Sequence, residues 1–130
     1  IIDVGGDPAG ARTLGRYQEY FIEGQYDMFF VLNANRPETQ TAEKAIEYLR
    51  KIEDTARAKV TGIVNNTHML KSTTLEDVLR GQELAENVSD KTHIPIKYIS
   101  VIEKVAKELP DNLKGEIFPM TLYMREEWMV

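Results

Sequence analysis

The residues best suited to chemistry stand at the start of the chain, in Asp3-Val4-Gly5-Gly6-Asp7-Pro8-Ala9-Gly10-Ala11. Gly5, Gly6 and Gly10 let a backbone pass close to a ligand and adopt positive φ. Asp3 and Asp7 suit a water-held magnesium or the positioning of an attacking water. The same residues equally suit a tight strand-to-helix turn in which Asp7 accepts backbone amides. A second candidate is the amide pair Asn65-Asn66, which follows the apolar run Gly62-Ile63-Val64. An amide side chain can donate to and accept from one edge of a base; it also caps strands and turns. Arg36, beside Pro37, is either in reach of a phosphate or a plain surface cation. His68 and His93 have no partner at ligand spacing and read as loop histidines.

Elements must position these groups. Ile1–Val4, residues 28–33, Val60–Asn65 and Ile94–Ile99 are short apolar runs that predict strands. Between them lie helical patterns. Ala11, Leu14, Tyr17, Phe21 and Ile22 share one face, with Gly24 as a stop. Ala42, Ala45, Ile46, Leu49 and Ile52 follow an opening at Pro37. A capping box at Thr73 and Glu76 starts a third helix, and one at Ser100 and Glu103 starts a short fourth that Pro110 ends. This alternation predicts an α/β fold: a three-layer, Rossmann-like, mostly parallel sheet of at least four strands with helices on both faces. Ligands of such sheets sit beyond the carboxyl ends of the strands, here Asp3–Gly10, Asn33–Glu38, Asn65–His68 and Ser100–Glu103. Residues 111–130 lack a helical period yet hold Phe118, Met120, Leu122, Tyr123, Met124, Trp128 and Met129. They read as an apolar tail that packs on the domain formed by residues 1–110 or on a partner.

Composition sets the limits. The chain has 130 residues, a net charge of −5 and no cysteine. That length suits one core. Without cysteine there are no disulfides, thiolate metal sites or cysteine-ligated clusters. An acidic chain with no basic segment argues against nucleic acid as the partner. No apolar run approaches the ~20 residues of a membrane helix, so no membrane partner is expected, and a cytoplasmic location fits. The chain opens inside its first predicted strand without an initiator Met, which predicts further chain upstream.

The opening stretch resembles the second switch of the deviant P-loop ATPases, the group of the chromosome-partitioning and septum-positioning ATPases and the nitrogenase iron protein. Asp3-Val4 followed by Gly6-Asp7 is similar to the iron protein's Asp-Val-x-Gly-Asp. The resemblance implies ATP and magnesium as cofactors. Asp3 would hold magnesium through water, the Gly6 amide would sense the γ-phosphate, and Asp7 would lie near the attacking water, with Gly5 and Gly10 in the same nucleotide-facing loop. Tyr26-Asp27 and the loop Asn33-Ala34-Asn35-Arg36-Pro37-Glu38-Thr39 resemble the family's next strand and loop, which brings Arg36 into the site. Gly62-Ile63-Val64-Asn65-Asn66 looks like the strand whose terminal Asn reads adenine, and spacing from Gly62 favours Asn66 over Asn65. Ile94-Pro95-Ile96 resembles the last core strand, and the loop from Ser100 lines the family's base pocket. The likeness covers about residues 1–109.

Two departures bear on function. Ala9-Gly10-Ala11 stands where the iron protein has a cluster-ligating Cys, which excludes a bridging iron–sulfur cluster. No G-x-x-x-x-G-K-[ST] occurs; the family's phosphate loop precedes the stretch seen here. The implied protein is the C-terminal part of a magnesium-dependent ATPase switch of the partitioning type. It would close a homodimer and act on a protein partner, and this chain alone would not hydrolyse ATP. Asp3-x-Gly5-x-x-Pro8-x-Gly10 also resembles the first motif of some S-adenosylmethionine methyltransferases, although Asn33 stands where an acid would bind ribose. A third reading is a non-catalytic interaction module that kept the fold.

Overall fold

The computed structural model describes residues 1–122. Asp7 caps a single helical turn, α1 (Pro8–Ala11), with Pro8 preset for the first helical position. A 3-10 segment, Arg12–Tyr20, continues from it. Then follow β1 (Phe29–Leu32), α2 (Ala42–Ala56), β2 (Gly62–Asn65), α3 (Leu75–Thr92), β3 (Ile96–Ile102), α4 (Glu103–Ala106) and β4 (Glu116–Met120). The four strands form one sheet in the order β1-β2-β3-β4, and every pairing is parallel. The protein is therefore α/β, a parallel sheet flanked by helices of the Rossmann-like, layered kind that the sequence predicts.

Local chemistry explains the long helices. Thr41 caps α2 by accepting from the Lys44 amide, and the helix ends at Arg57 in the left-handed conformation, φ 56°. Thr74 and Asp77 close a reciprocal capping box at α3, one residue after the expected Thr73 and Glu76 pair. The Thr73 hydroxyl is used instead inside the preceding loop, where it accepts from the Met69 amide and donates to the Leu70 carbonyl. The Ser100 and Glu103 cap does not form: Ser100 lies within β3, and α4 starts at Glu103 with no side-chain cap.

Sequential strand order with crossovers of one hand puts successive helices on the same face. The core lies there. Phe30, Leu32 and Ile63 pack against Ala45 and Leu49 of α2 and Leu84, Ala85 and Val88 of α3. A second cluster joins Val78 to Ile99, Val101, Val105 and Leu109. The opposite face carries Phe29, Val31, Tyr98, Phe118 and Met120. Its rings form a row, with Phe29 and Tyr98 centred 5.9 Å apart and Tyr98 and Phe118 6.4 Å apart. Phe29, Val31, Phe118 and Met120 are exposed.

Two expected elements differ. Ile1–Val4 is not a strand: Ile1 and Ile2 stand in solvent and Val4 packs on the Ala11–Leu14 cluster. An extended segment needs a ladder partner for its amides and carbonyls, and none of the described strands supplies one. Conversely, Glu116–Met120 of the expected tail is β4, hydrogen-bonded along β3 from Tyr98 to Ile102. Pro119 is compatible with this because β4 is an edge strand; the rest of the tail, residues 123–130, lies outside the described residues. Among the described residues no helix is long and apolar enough to cross a membrane.

Candidate functional site at the carboxyl rim of the sheet

A cavity of about 220 Å³ opens where β2, β3 and β4 end. Its walls are Asn66, Thr67, His68, Leu70 and Thr73 from one side and Ser100, Val101, Ile102, Met120, Thr121 and Leu122 from the other. The parallel sheet makes this geometry: all strands finish at one rim, and each is followed by a loop that must turn back.

The two neighbouring amides have separate roles. Asn65 is fully buried, and its Nδ2 donates to the Val78 carbonyl at 3.2 Å and to Gln82 Oε1 at 3.1 Å. Its Oδ1 accepts from the Thr67 amide at 3.2 Å. Asn65 thus joins β2 to α3 and has no free edge for a ligand, contrary to its place among the expected binding residues. The Asn66 backbone N–H donates to Leu32 at 2.7 Å, which fixes the residue at the rim. Its side chain is half-buried, lines the cavity and makes no hydrogen bond among the described residues. A partly desolvated amide without a partner is the group a ligand edge would satisfy.

The surrounding loops are tied down. Asn33 Oδ1 accepts from the Asn35 amide at 2.9 Å, and the Asn33 carbonyl accepts from Thr39 Oγ1 at 2.7 Å. Asn35 Nδ2 donates to the His68 carbonyl at 3.1 Å, and its Oδ1 accepts from Arg80, which also pairs with Asp77 at 3.2 Å. The Ala34 amide donates to Thr67 Oγ1 at 3.0 Å. Gly81 is required beside this joint: a Cβ there would stand 2.1 Å from Thr67 Oγ1 and 2.7 Å from Asn65 Oδ1. Arg36 is exposed beside Pro37 and does not line the cavity.

The opening loop forms a separate group. Asp7 Oδ1 accepts from the Gly10 amide at 2.6 Å, and a Cβ at Gly10 would lie 2.6 Å from the Gly5 carbonyl oxygen. The loop is folded on itself, which is the turn-like use of these residues. Asp3, Gly5 and Gly6 are exposed, and none of Asp3, Gly5, Gly6, Asp7 and Gly10 lines the cavity. Ala11 and Leu14 instead pack against Ala56 and Ala58, and Ile52 adjoins them. Burial, then the carboxylates of Asp7 and Glu38, push the Tyr48 phenol on α2 above its ordinary value. Asp3 and Asp7 gain no third ligand, and the described residues hold no cluster of three or more His, Cys, Asp or Glu suited to a metal. Asp7 is engaged by the Gly10 amide within its own loop, so the opening loop and the rim cavity lined by Asn66 are separate groups.

Sequence reasoning placed Thr67 and His68 in the rim stretch Asn65–His68 without assigning either a role there, and missed Leu70, Thr73 and the end of β4 as cavity walls. The signal available was topological: whatever follows a parallel strand reaches the rim. Against protein-family models, curated proteins and solved structures alike, the chain finds no match.

Proposed function

We propose that this chain is the base-recognising part of an ATP-dependent switch of the partitioning type, and that it lacks hydrolytic activity of its own. The observation that carries the reading is the unpartnered, half-buried Asn66 amide in the rim cavity. Adenine offers an adjacent donor and acceptor that match one amide, and the apolar walls Leu70, Val101, Ile102 and Leu122 suit its faces. Magnesium and the phosphates would be held by groups beyond those gathered here, with Asp3, Gly6 and Asp7 joining them only where a phosphate-binding loop stands alongside. The homodimer and protein partner of such switches belong to the same reading.

Equilibrium dialysis of the purified chain against adenosine, ATP, GTP and S-adenosylmethionine tests it. Adenosine and ATP should bind with similar affinity, unaffected by magnesium, and Asn66→Ala should weaken both. Preference for S-adenosylmethionine over adenosine would transfer the reading to a methyltransferase-like domain. Asn33 disfavours that outcome, because its Oδ1 is bonded to the Asn35 amide where an acid would hold ribose.

A further inference from the structure

We propose that the open face of the sheet is the interface of a homodimer, covered by a second copy of this chain packed sheet on sheet about a two-fold axis that runs along the strands. A parallel sheet is ordinarily covered on both faces. Here α2 and α3 cover one, while Phe29, Val31, Phe118 and Met120 are exposed on the other. A contiguous apolar patch of that kind marks an interaction site. The inference rests on this face alone and not on the base-binding reading, and the contact needs no nucleotide.

The charges of the face select the occupant. The four strands contain only two charged residues, Lys97 and Glu116. Both belong to the open face. Ile117 packs into the cluster on the helix side, so its neighbours Glu116 and Phe118 point the other way. Lys97 is the extra residue of the β2–β3 irregularity, since Ile63 pairs with Ile96 and Val64 with Tyr98. Its stem crosses Gly62 toward β1: a Cβ built at Gly62 would stand 2.6 Å from Lys97 Cγ and 3.0 Å from Phe29 Cδ1. Neither charge forms an ion pair among the described residues. They occupy opposite flanks, with Lys97 leaning toward β1 and Glu116 on β4. A two-fold axis along the strands exchanges those flanks. It sets β1 over β4 of the second copy and β2 over its β3, with strand directions aligned as in packed sheets. Height along the strands is preserved. The register puts Val31, Val64, Tyr98 and Glu116 at one height, with Lys97 one residue below. Tyr98 therefore lies over Val64 of the second copy, and Glu116 meets the flank that carries Lys97 of the second copy. Two equivalent ion pairs then bracket an apolar centre. An unrelated apolar cover would bury both charges without a mate, which is costly. The two charges also cancel on the face, so the net charge of −5 is carried elsewhere on the chain.

Sedimentation velocity of the purified chain, without nucleotide, tests this. A dimeric species should grow with concentration through the micromolar range. Lys97→Glu and Glu116→Lys should each weaken the dimer by about tenfold or more, because like charges then meet twice, while far-UV circular dichroism is unchanged. An equimolar mixture of the two variants should dimerise as the native chain does, since opposite charges again face each other across the contact. Phe118→Asp, at an exposed position, should leave a monomer. A native chain that stays monomeric throughout overturns the proposal, in favour of a cover from elsewhere in the chain or from a different protein. A dimer that the single charge reversals leave intact, or a mixture that fails to recover it, also overturns the proposal by placing the interface on another surface.

Discussion

Asn65 and Asn66 are adjacent in sequence and opposite in consequence. Asn65→Ala should lower stability by roughly 1–3 kcal/mol, because it strands the Val78 carbonyl, Gln82 and the Thr67 amide in a buried joint. A lower urea midpoint checks this. Asn66→Ala should leave that midpoint nearly unchanged and act on ligand affinity instead. Spacing from Gly62 already favours Asn66 in the sequence; what the sequence does not display is that Asn65 Nδ2 is fully engaged by a helix that starts ten residues later, while its Oδ1 is taken by the Thr67 amide. Glu53 is a similar case. It is buried, and its carboxylate accepts from Arg50 at 2.6 Å and from the Val60 amide at 2.8 Å. Its position on α2 marks it only as a polar residue between apolar ones. Glu53→Ala should destabilise the chain by about 1–3 kcal/mol in denaturant titration, while Glu53→Gln should retain part of the loss as an acceptor.

Among elements, α1 and the glycine loop sit beside α2 instead of entering the sheet, and Tyr48 reports that placement. Its proton is held more tightly in the folded chain than in the unfolded one. The resulting stabilisation is complete below the ordinary tyrosine value near ~10 and is lost as pH rises through the higher folded value. Asp7→Asn removes one of the two carboxylates that raise it, so the Tyr48 titration should move part-way down, while burial, the larger cause, remains. An NMR titration with ring-labelled tyrosine measures this. An unchanged midpoint would place Asp7 away from α2. At the contact of α3 with β2, Gly81→Ala should destabilise by more than the ~1 kcal/mol that the propensity gain of Ala returns, because its Cβ would overlap Thr67. A raised urea midpoint for that variant would contradict the packing described. Alternating apolar runs and caps made α2, α3 and β1 to β3 legible. β4 was hidden because Pro119 and a lone edge position break the pattern of a buried strand. Ile1–Val4 misled because an apolar run marks strand propensity, and a strand exists only where a neighbour completes its ladder.

At the scale of the whole molecule, a parallel α/β sheet gathers its loops at one rim and so builds a cavity from segments far apart in sequence, Asn66 and Ser100 among them. The proposed base site rests on that topology. The opening loop takes no part in it, since Asp7 is bonded to Gly10 and none of that loop lines the cavity. The fold class was readable from periodicity, and so was the position of Asn66 at the rim. The opening motif was less legible, because its glycines and carboxylates serve a turn as well as they serve a nucleotide. The molecule should accordingly show no ATP hydrolysis above a no-protein control, with or without magnesium, in a phosphate-release assay.

The central claim is recognition of a base without recognition of phosphate. Isothermal titration of the purified chain with adenosine and with ATP tests it most directly. The account predicts binding of both within a few-fold of each other, and a loss of roughly tenfold or more for each in Asn66→Ala, the ~1–3 kcal/mol of one lost polar contact. Binding of ATP that far exceeds adenosine and requires magnesium, or binding of both that Asn66→Ala leaves intact, would contradict it.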